Sequence, residues 1–253
     1  MENQANFTYK IMEVCLLAGK IMLVSGAETY RVEDTMMRIA ASFGIKQSHS
    51  YVTPTGIIFS IEGSEPTKTK LIRIMERTTD LEKVTMVNAI SRKISGGDLS
   101  VQEAYELLED IEMAKPTYSF MVRLLSATIA SGCFLIMFKG GWGDFFPAAV
   151  TGGIGFLSVV YFHRVIPIKF FAEFLSAFII GLLSFLFIKI GAGYQLDKII
   201  IGSVMPLVPG LLITNAVRDL MMGHLLSGLS KGAEAFLTAF AIGSGIAVVF
   251  TFL

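Results

Sequence analysis

Hydrophobic positions are distributed in two different ways along these 253 residues. Up to about residue 116 they recur among charged side chains at helical or alternating spacing. From about 117 onward they form runs long enough to fill a bilayer. A helix needs roughly 20 apolar residues to cross the hydrocarbon core, and shorter runs suffice where flanking charges snorkel. Five stretches meet that requirement: 120–138, with Arg123 near its entry; 145–162; 165–188, with Glu173 inside it; 199–217, uncharged between Lys198 and Arg218; and 235–253, uncharged after Glu234. The pattern predicts an integral membrane α-helical bundle of about five transmembrane helices over 117–253, preceded by a small α+β domain over 1–116.

Inside the first part, residues 8–24 read as an amphipathic helix with Ile11, Cys15, Ala18 and Met22 on one face. Glu13 and Lys20 interrupt it, so its uncharged run is too short to span. A second helix is expected over 27–43: Ser25 and Glu28 have capping-box spacing, Val32, Met36, Ala40 and Phe43 form an apolar stripe, and Gly44 stops it. Residues 51–61 and 67–74 are rich in β-branched side chains and flank a turn-like 62–66, which predicts a hairpin. Two more helices follow, 81–94 stopped by Ser95-Gly96-Gly97, and 101–114 opened by a second capping box, Ser100 with Glu103. Pro116 marks the junction with the membrane part.

Charge sharpens this division. Of 21 Lys and Arg, 14 precede Leu124, as do 16 of 21 Asp and Glu. Neither part has the basic excess that nucleic-acid binding requires, so nucleic acid is excluded as a partner. With the first domain inside the cell, the inner flanks carry Lys115, Arg123, Arg164, Lys169, Arg218 and Lys231, and the outer loops only Lys139, Lys189 and Lys198. That bias predicts a multi-pass cell-membrane protein with a cytoplasmic N-terminal domain and the C-terminus outside. The polar start shows no cleavable signal. Small residues recur at Ala235, Ala239, Gly243 and Ala247, and at Gly152, Gly153 and Gly155, a pattern of close helix packing.

Several chemistries find no support. Cys15 and Cys133 are isolated, and His49, His163 and His224 lack companions at metal-ligand spacing, so no disulfide, metal or cofactor is expected. His224 and Ser227 lack an oxyanion motif and an orienting third group, which argues against an enzyme.

The polar positions within the apolar runs carry more information. Pro206, Pro209 and Gly210 fall mid-run in the fourth span, and each proline removes a backbone donor and clashes with the preceding turn. Such a break either forms a solute site at the midplane or simply kinks a packing helix; both readings stay open. Helical spacing brings Thr214 and Arg218 onto the face of Gly210, and Asn215 beside Asp219. An interfacial ion pair is the plainer account of Arg218 and Asp219. Lys231, Glu234 and Thr238 share a face at the start of the fifth span, where Glu234 also complements the helix dipole. Glu173 carries a coupling proton or snorkels to the interface. In SGAETYRVED, Ser25 to Asp34, the spacing of Glu28 with Arg31 and of Asp34 with Arg38 describes a capped, salt-laced helix.

SGAETYRVEDTM from Ser25, VTPTGI from Val52 and PLVPGLLITNAVRDLMMGHLLSGLSKGAEAFLTA from Pro206 together resemble the threonine/serine exporter (ThrE-type) family. The resemblance implies a secondary transporter that moves small hydrophilic metabolites, threonine and serine or related small organic acids, out of the cell. It maps family motifs onto Ser25, Glu28, Arg31, Glu33 and Asp34, and onto Pro206, Pro209, Asn215, Arg218, Asp219, Ser227 and Glu234. Fused family members carry a second membrane unit after this one, so a separate small membrane protein is implied as partner, supplying the second half of the exporter. The expectation is a substrate cavity lined by the broken fourth span, driven by protons through Glu173, Asp219 or Glu234. The rivals are a membrane-anchored regulator or sensor that transports nothing, and a passive channel.

Overall fold

In the computed structural model, described over residues 2–62, 66–115, 118–166, 168 and 170–251, the chain forms two compact units. The first comprises Met1–Thr117 and Leu211–Gly232, the second Tyr118–Gly210 and Ala233–Leu253. Residues 211–232 thus belong with the N-terminal domain, which the sequence pattern alone ends at 116.

In the first unit, helix α1 (Glu2–Val24) is the core element. Ile11, Cys15, Ala18 and Met22 are buried as expected, but so are Met12, Val14, Leu16, Ile21 and Leu23. It is not a one-faced amphipathic helix. Its outward line is the stripe through Glu13 and Lys20, which reach Lys70 at 3.7 Å and Glu112 at 2.6 Å. Gly19 lets α2 (Thr29–Ser42) approach closely, since a Cβ there would lie 2.4 Å from Met36 Sδ.

The strand prediction needs correction. The 51–61 run is two strands, because Pro54, which has no backbone donor, and Thr55 form a turn inside it. The result is an antiparallel sheet in the order β1 (Gln47–Thr53), β2 (Gly56–Glu62), β3 (Lys68–Arg73), with Thr53 opposite Gly56 and Ile58 opposite Leu71. Val52, Ile57, Phe59 and Ile61 face the core. Within the expected 62–66 turn, residues 63–65 lie outside the described residues.

Helix α3 (Leu81–Gly96) is capped by Asp80, which accepts from the Lys83 N–H, and α4 (Val101–Met113) carries the predicted Ser100–Glu103 capping box. Pro116 lies outside the described residues. The other predicted box does not form: α2 begins at Thr29, and its N-cap Glu28 makes no side-chain cap. Instead, Ala27 N–H bonds to Met22 O across Gly26, whose φ of +92° closes α1 in a Schellman turn that suits glycine. Gly44 follows α2 as expected.

The second unit contains α5 (Phe120–Met137), α6 (Phe145–Val165), α7 (Phe171–Lys189) and α8 (Leu196–Val204), with the 3-10 turns Trp142–Asp144 and Met205–Leu207. Helix α6 is central and packs on α5, α7 and α8. Buried Asp144 ties two connections together by accepting the backbone N–H of Tyr194 at 2.6 Å and of Gln195 at 3.2 Å.

Three spans differ from the sequence reading. The third begins at Phe171 rather than 165, because α6 continues through Val165. Lys169, expected at the inner flank, lies outside the described residues. The fourth is no continuous helix: α8 ends at Val204, Val208 is extended, and α9 (Gly210–Met221) restarts. The fifth, α10 (Leu225–Thr251), begins ten residues before 235. Among the described residues four helices are long and apolar enough to cross a membrane, or five if Leu196–Leu207 and Gly210–Met221 count as one broken span.

Candidate functional site

Asp219 replaces the missing cap of α2. Its two oxygens accept from Thr29, the backbone N–H at 3.0 Å and Oγ1 at 2.8 Å. A carboxylate in that position satisfies a free helix N–H and complements the positive end of the helix dipole. Lys231 closes the cluster, donating to Asp219 Oδ2 at 2.7 Å and to Thr29 Oγ1 at 3.1 Å, while Ser227 Oγ lies 2.5 Å from Thr29 Oγ1. Because the Thr29 hydroxyl has a single proton, which goes to Asp219, Ser227 is the donor to Thr29. All four residues are buried.

Helical spacing places these groups. Asp219 is one turn beyond Asn215 on the buried face of α9, and Ser227 and Lys231 are one turn apart on α10. Asn215 Nδ2 donates to Gly26 O at 2.9 Å, holding the turn that orients Thr29.

A second, half-open layer surrounds this cluster. Glu28 is clamped between Arg218, on one carboxylate oxygen, and Arg31, 3.2 Å from the other. Burial alone would raise the Glu28 pKa, but the hydrogen bonds from its own backbone N–H and the two guanidinium groups outweigh it and hold the value below the ordinary carboxylate range. Glu33 behaves oppositely. Burial pushes its pKa up, the Val52 N–H at 2.8 Å and nearby His224 oppose this, and the charge of Asp219 adds to the rise.

The structure therefore gathers Glu28, Arg31, Glu33, Asn215, Arg218 and Asp219 around the start of α2. It corrects the reading of Arg218 with Asp219 as an interfacial pair, since each has a different partner and Asp219 is fully buried. Ser25 is buried, and its carbonyl accepts from the Asp80 N–H. Asp34 forms an exposed pair with Arg38. Thr214 is exposed on the face of Arg218, Pro206 and Pro209 occupy the break after α8, and Gly210 opens α9. Glu234 starts the apolar part of α10, and its carbonyl accepts from Thr238.

Glu173 belongs to the second unit. Its Oε1 lies 3.2 Å from His163 Nε2, and Oε2 is buried without a hydrogen bond. Thr29 belongs to this cluster without having been singled out from the sequence, and Lys231 and His224 join it through partners that helical spacing does not indicate. The spacing of Ser227 and Lys231 was the available signal, but nothing local pointed it at Thr29. Among the described residues no group of three or more His, Cys, Asp or Glu is placed to hold a metal ion.

The apolar helices are those of a polytopic helical membrane protein. A family model described as "Putative threonine/serine exporter" (ThrE) matches residues 13–253, and the chain belongs to that family. It is 24% identical to the "Probable threonine/serine exporter" of Mycobacterium tuberculosis over 92% of its own length and 44% of that protein. To the "Threonine/serine exporter" of Corynebacterium glutamicum it is 21% identical, over 93% and 50%. The chain thus spans about half the length of these two relatives. It matches 93% of the "Probable succinate transporter subunit YjjP" of Klebsiella aerogenes, at 24% identity over 95% of its own length. No solved structure matches.

Proposed function

We propose that the chain is a subunit of a secondary active, proton-coupled exporter of small hydrophilic metabolites, threonine and serine or small organic acids. A separate small membrane protein completes it. The N-terminal domain is cytoplasmic and the C-terminus lies outside, the orientation that the distribution of Lys and Arg favours.

The observation that carries this reading is the interrupted backbone at 205–210. Pro206 and Pro209 contribute no donors, and Val208 is extended ahead of Pro209, as the steric demand of a following proline requires. Irregular backbone at membrane depth is tolerated where it is buried in protein or lines a cavity, and it commonly marks solute sites in transporters. Glu173 and Glu234 are the coupling candidates. Asp219 has both oxygens engaged and suits a latch that holds α9 and α10 to the start of α2.

Counterflow of labelled threonine, serine and succinate into proteoliposomes containing both subunits tests the reading. Failure of all three solutes would sink it. Glu173→Gln and Glu234→Gln variants that keep the parent's pH dependence would remove those residues from coupling. A membrane-anchored sensor is the second reading, favoured by the saturation of the Thr29–Asp219–Ser227–Lys231 cluster; solute binding without counterflow would support it.

A further inference from the structure

Several hydroxyls on the apolar helices bond back to their own backbone. Thr128, Ser131, Ser158, Thr238 and Thr251 each donate to the carbonyl four residues earlier. Thr151, Ser176 and Ser184 are fully buried and make no such bond, nor any other. A buried hydroxyl without a partner is unfavourable in protein and more so in a bilayer, so three within one unit call for a cause.

Packing places two of them in one layer. A Cβ at Gly155 would lie 2.5 Å from Ile180 Cδ1, and Val159 packs on the cluster that contains Ala177 and Ile180. These contacts set α6 and α7 antiparallel, so one turn back from Gly155 and one turn on from Ile180 bring Thr151 and Ser184 to the same level. Gly152, beside Thr151, admits the neighbouring helices: a Cβ there would lie 2.0 Å from Ser131 Oγ and 3.3 Å from Ser203 Cα. Ser131 and Ser203 are also fully buried, and each spends its proton on a carbonyl, of Ala127 and Ala148 respectively, leaving oxygen lone pairs free to accept.

Four helices thus contribute Ser131, Thr151, Ser184 and Ser203 to one hydroxyl layer. It lies about 9 Å along α6 from its start. The hydroxyls of Thr151 and Ser184 have no hydrogen-bond partner, and no solvent reaches either oxygen.

We propose that this layer is the closed constriction of a polar path through the second unit. When α6 and α7 separate, it hydrogen-bonds a small solute bearing both donors and acceptors, such as a zwitterionic or hydroxylated acid, together with its water. The proposal rests on the exporter reading for the solute's passage. Ser176, two turns from Ser184 on α7 or about 12 Å, extends the same path.

Thiol accessibility tests it without a transport measurement. Thr151→Cys and Ser184→Cys are made separately in the full chain carrying Cys133→Ala, and membrane vesicles are treated with a small cationic methanethiosulfonate. Leu135→Cys, fully buried and apolar in the same unit, is the control. Labelling at Thr151→Cys and Ser184→Cys is expected to be roughly tenfold or more faster than in the control, because only water-exposed thiols form the reactive thiolate. Labelling at the control rate would overturn the proposal. For a variant that does not insert, Thr151→Val and Ser184→Ala replace it. Lost counterflow at an unchanged or raised melting temperature supports the path, and a lowered melting temperature or intact counterflow overturns it. Labelling without counterflow by the parent chain sinks the exporter reading alone. Counterflow without labelling sinks the path alone.

Discussion

Asp219 and Lys231 form an ion pair at 2.7 Å with side chains 0% and 3% exposed. Removing one member of such a pair strands a buried charge, whereas removing both does not. Lys231→Met should therefore destabilise the first unit by about 3–5 kcal/mol, and Lys231→Met with Asp219→Leu should be less destabilised than either single variant. Denaturant unfolding of the purified full chain, arranged as a double-mutant cycle, measures this.

Thr29 joins the pair to the start of α2. Thr29→Val keeps the shape and loses the hydroxyl that bonds Asp219, Lys231 and Ser227, an expected cost of about 1.5–3 kcal/mol for hydrogen bonds to charged groups. Thr29→Ser should recover most of it. Equal stability for the Val and Ser variants would refute the assigned network.

Glu33 makes stability depend on pH. Its folded-state pKa is raised above the ordinary value of 4.5, by burial first and by Asp219 as well. The folded chain therefore holds that proton more tightly than the unfolded chain. The contribution is fully present below the unfolded value and is lost as pH rises through the folded one. Glu33→Gln retains an oxygen for the Val52 N–H and should be more stable than the parent above that window, with a flatter pH profile. Thermal melts across pH 4 to 8 decide the matter; parallel profiles would contradict it.

The break after α8 depends on Pro209 acting through Val208. Pro209→Ala removes the steric bar to a helical Val208, so helix content should rise slightly by circular dichroism while counterflow falls. Unchanged transport would mean that the interruption serves packing alone.

Much of this was legible in the chain itself. The long apolar runs, the α4 capping box and the disruptive prolines report local physics, since hydropathy, helix caps and backbone sterics act over a few residues. Element ends were less legible where competing local signals had equal standing. Ser25 and Glu28 have capping spacing, yet Gly26 closes α1 there and Glu28 is taken by Arg218 and Arg31. Likewise Pro54 divided a run whose β-branched composition reads as one strand.

The sequence by itself determined where apolar helices form, where the fourth one breaks and which family motifs the chain carries. Only the tertiary structure decided that Asp219 belongs to Thr29 and Lys231, that Arg218 belongs to Glu28, and that Thr151 and Ser184 are buried without partners. The physical reason is range. Helical periodicity shows which residues share a face, but the partner of a buried charge can lie 190 positions away, as Thr29 does from Asp219. Its identity depends on which faces pack together and on which polar groups that packing leaves to be satisfied.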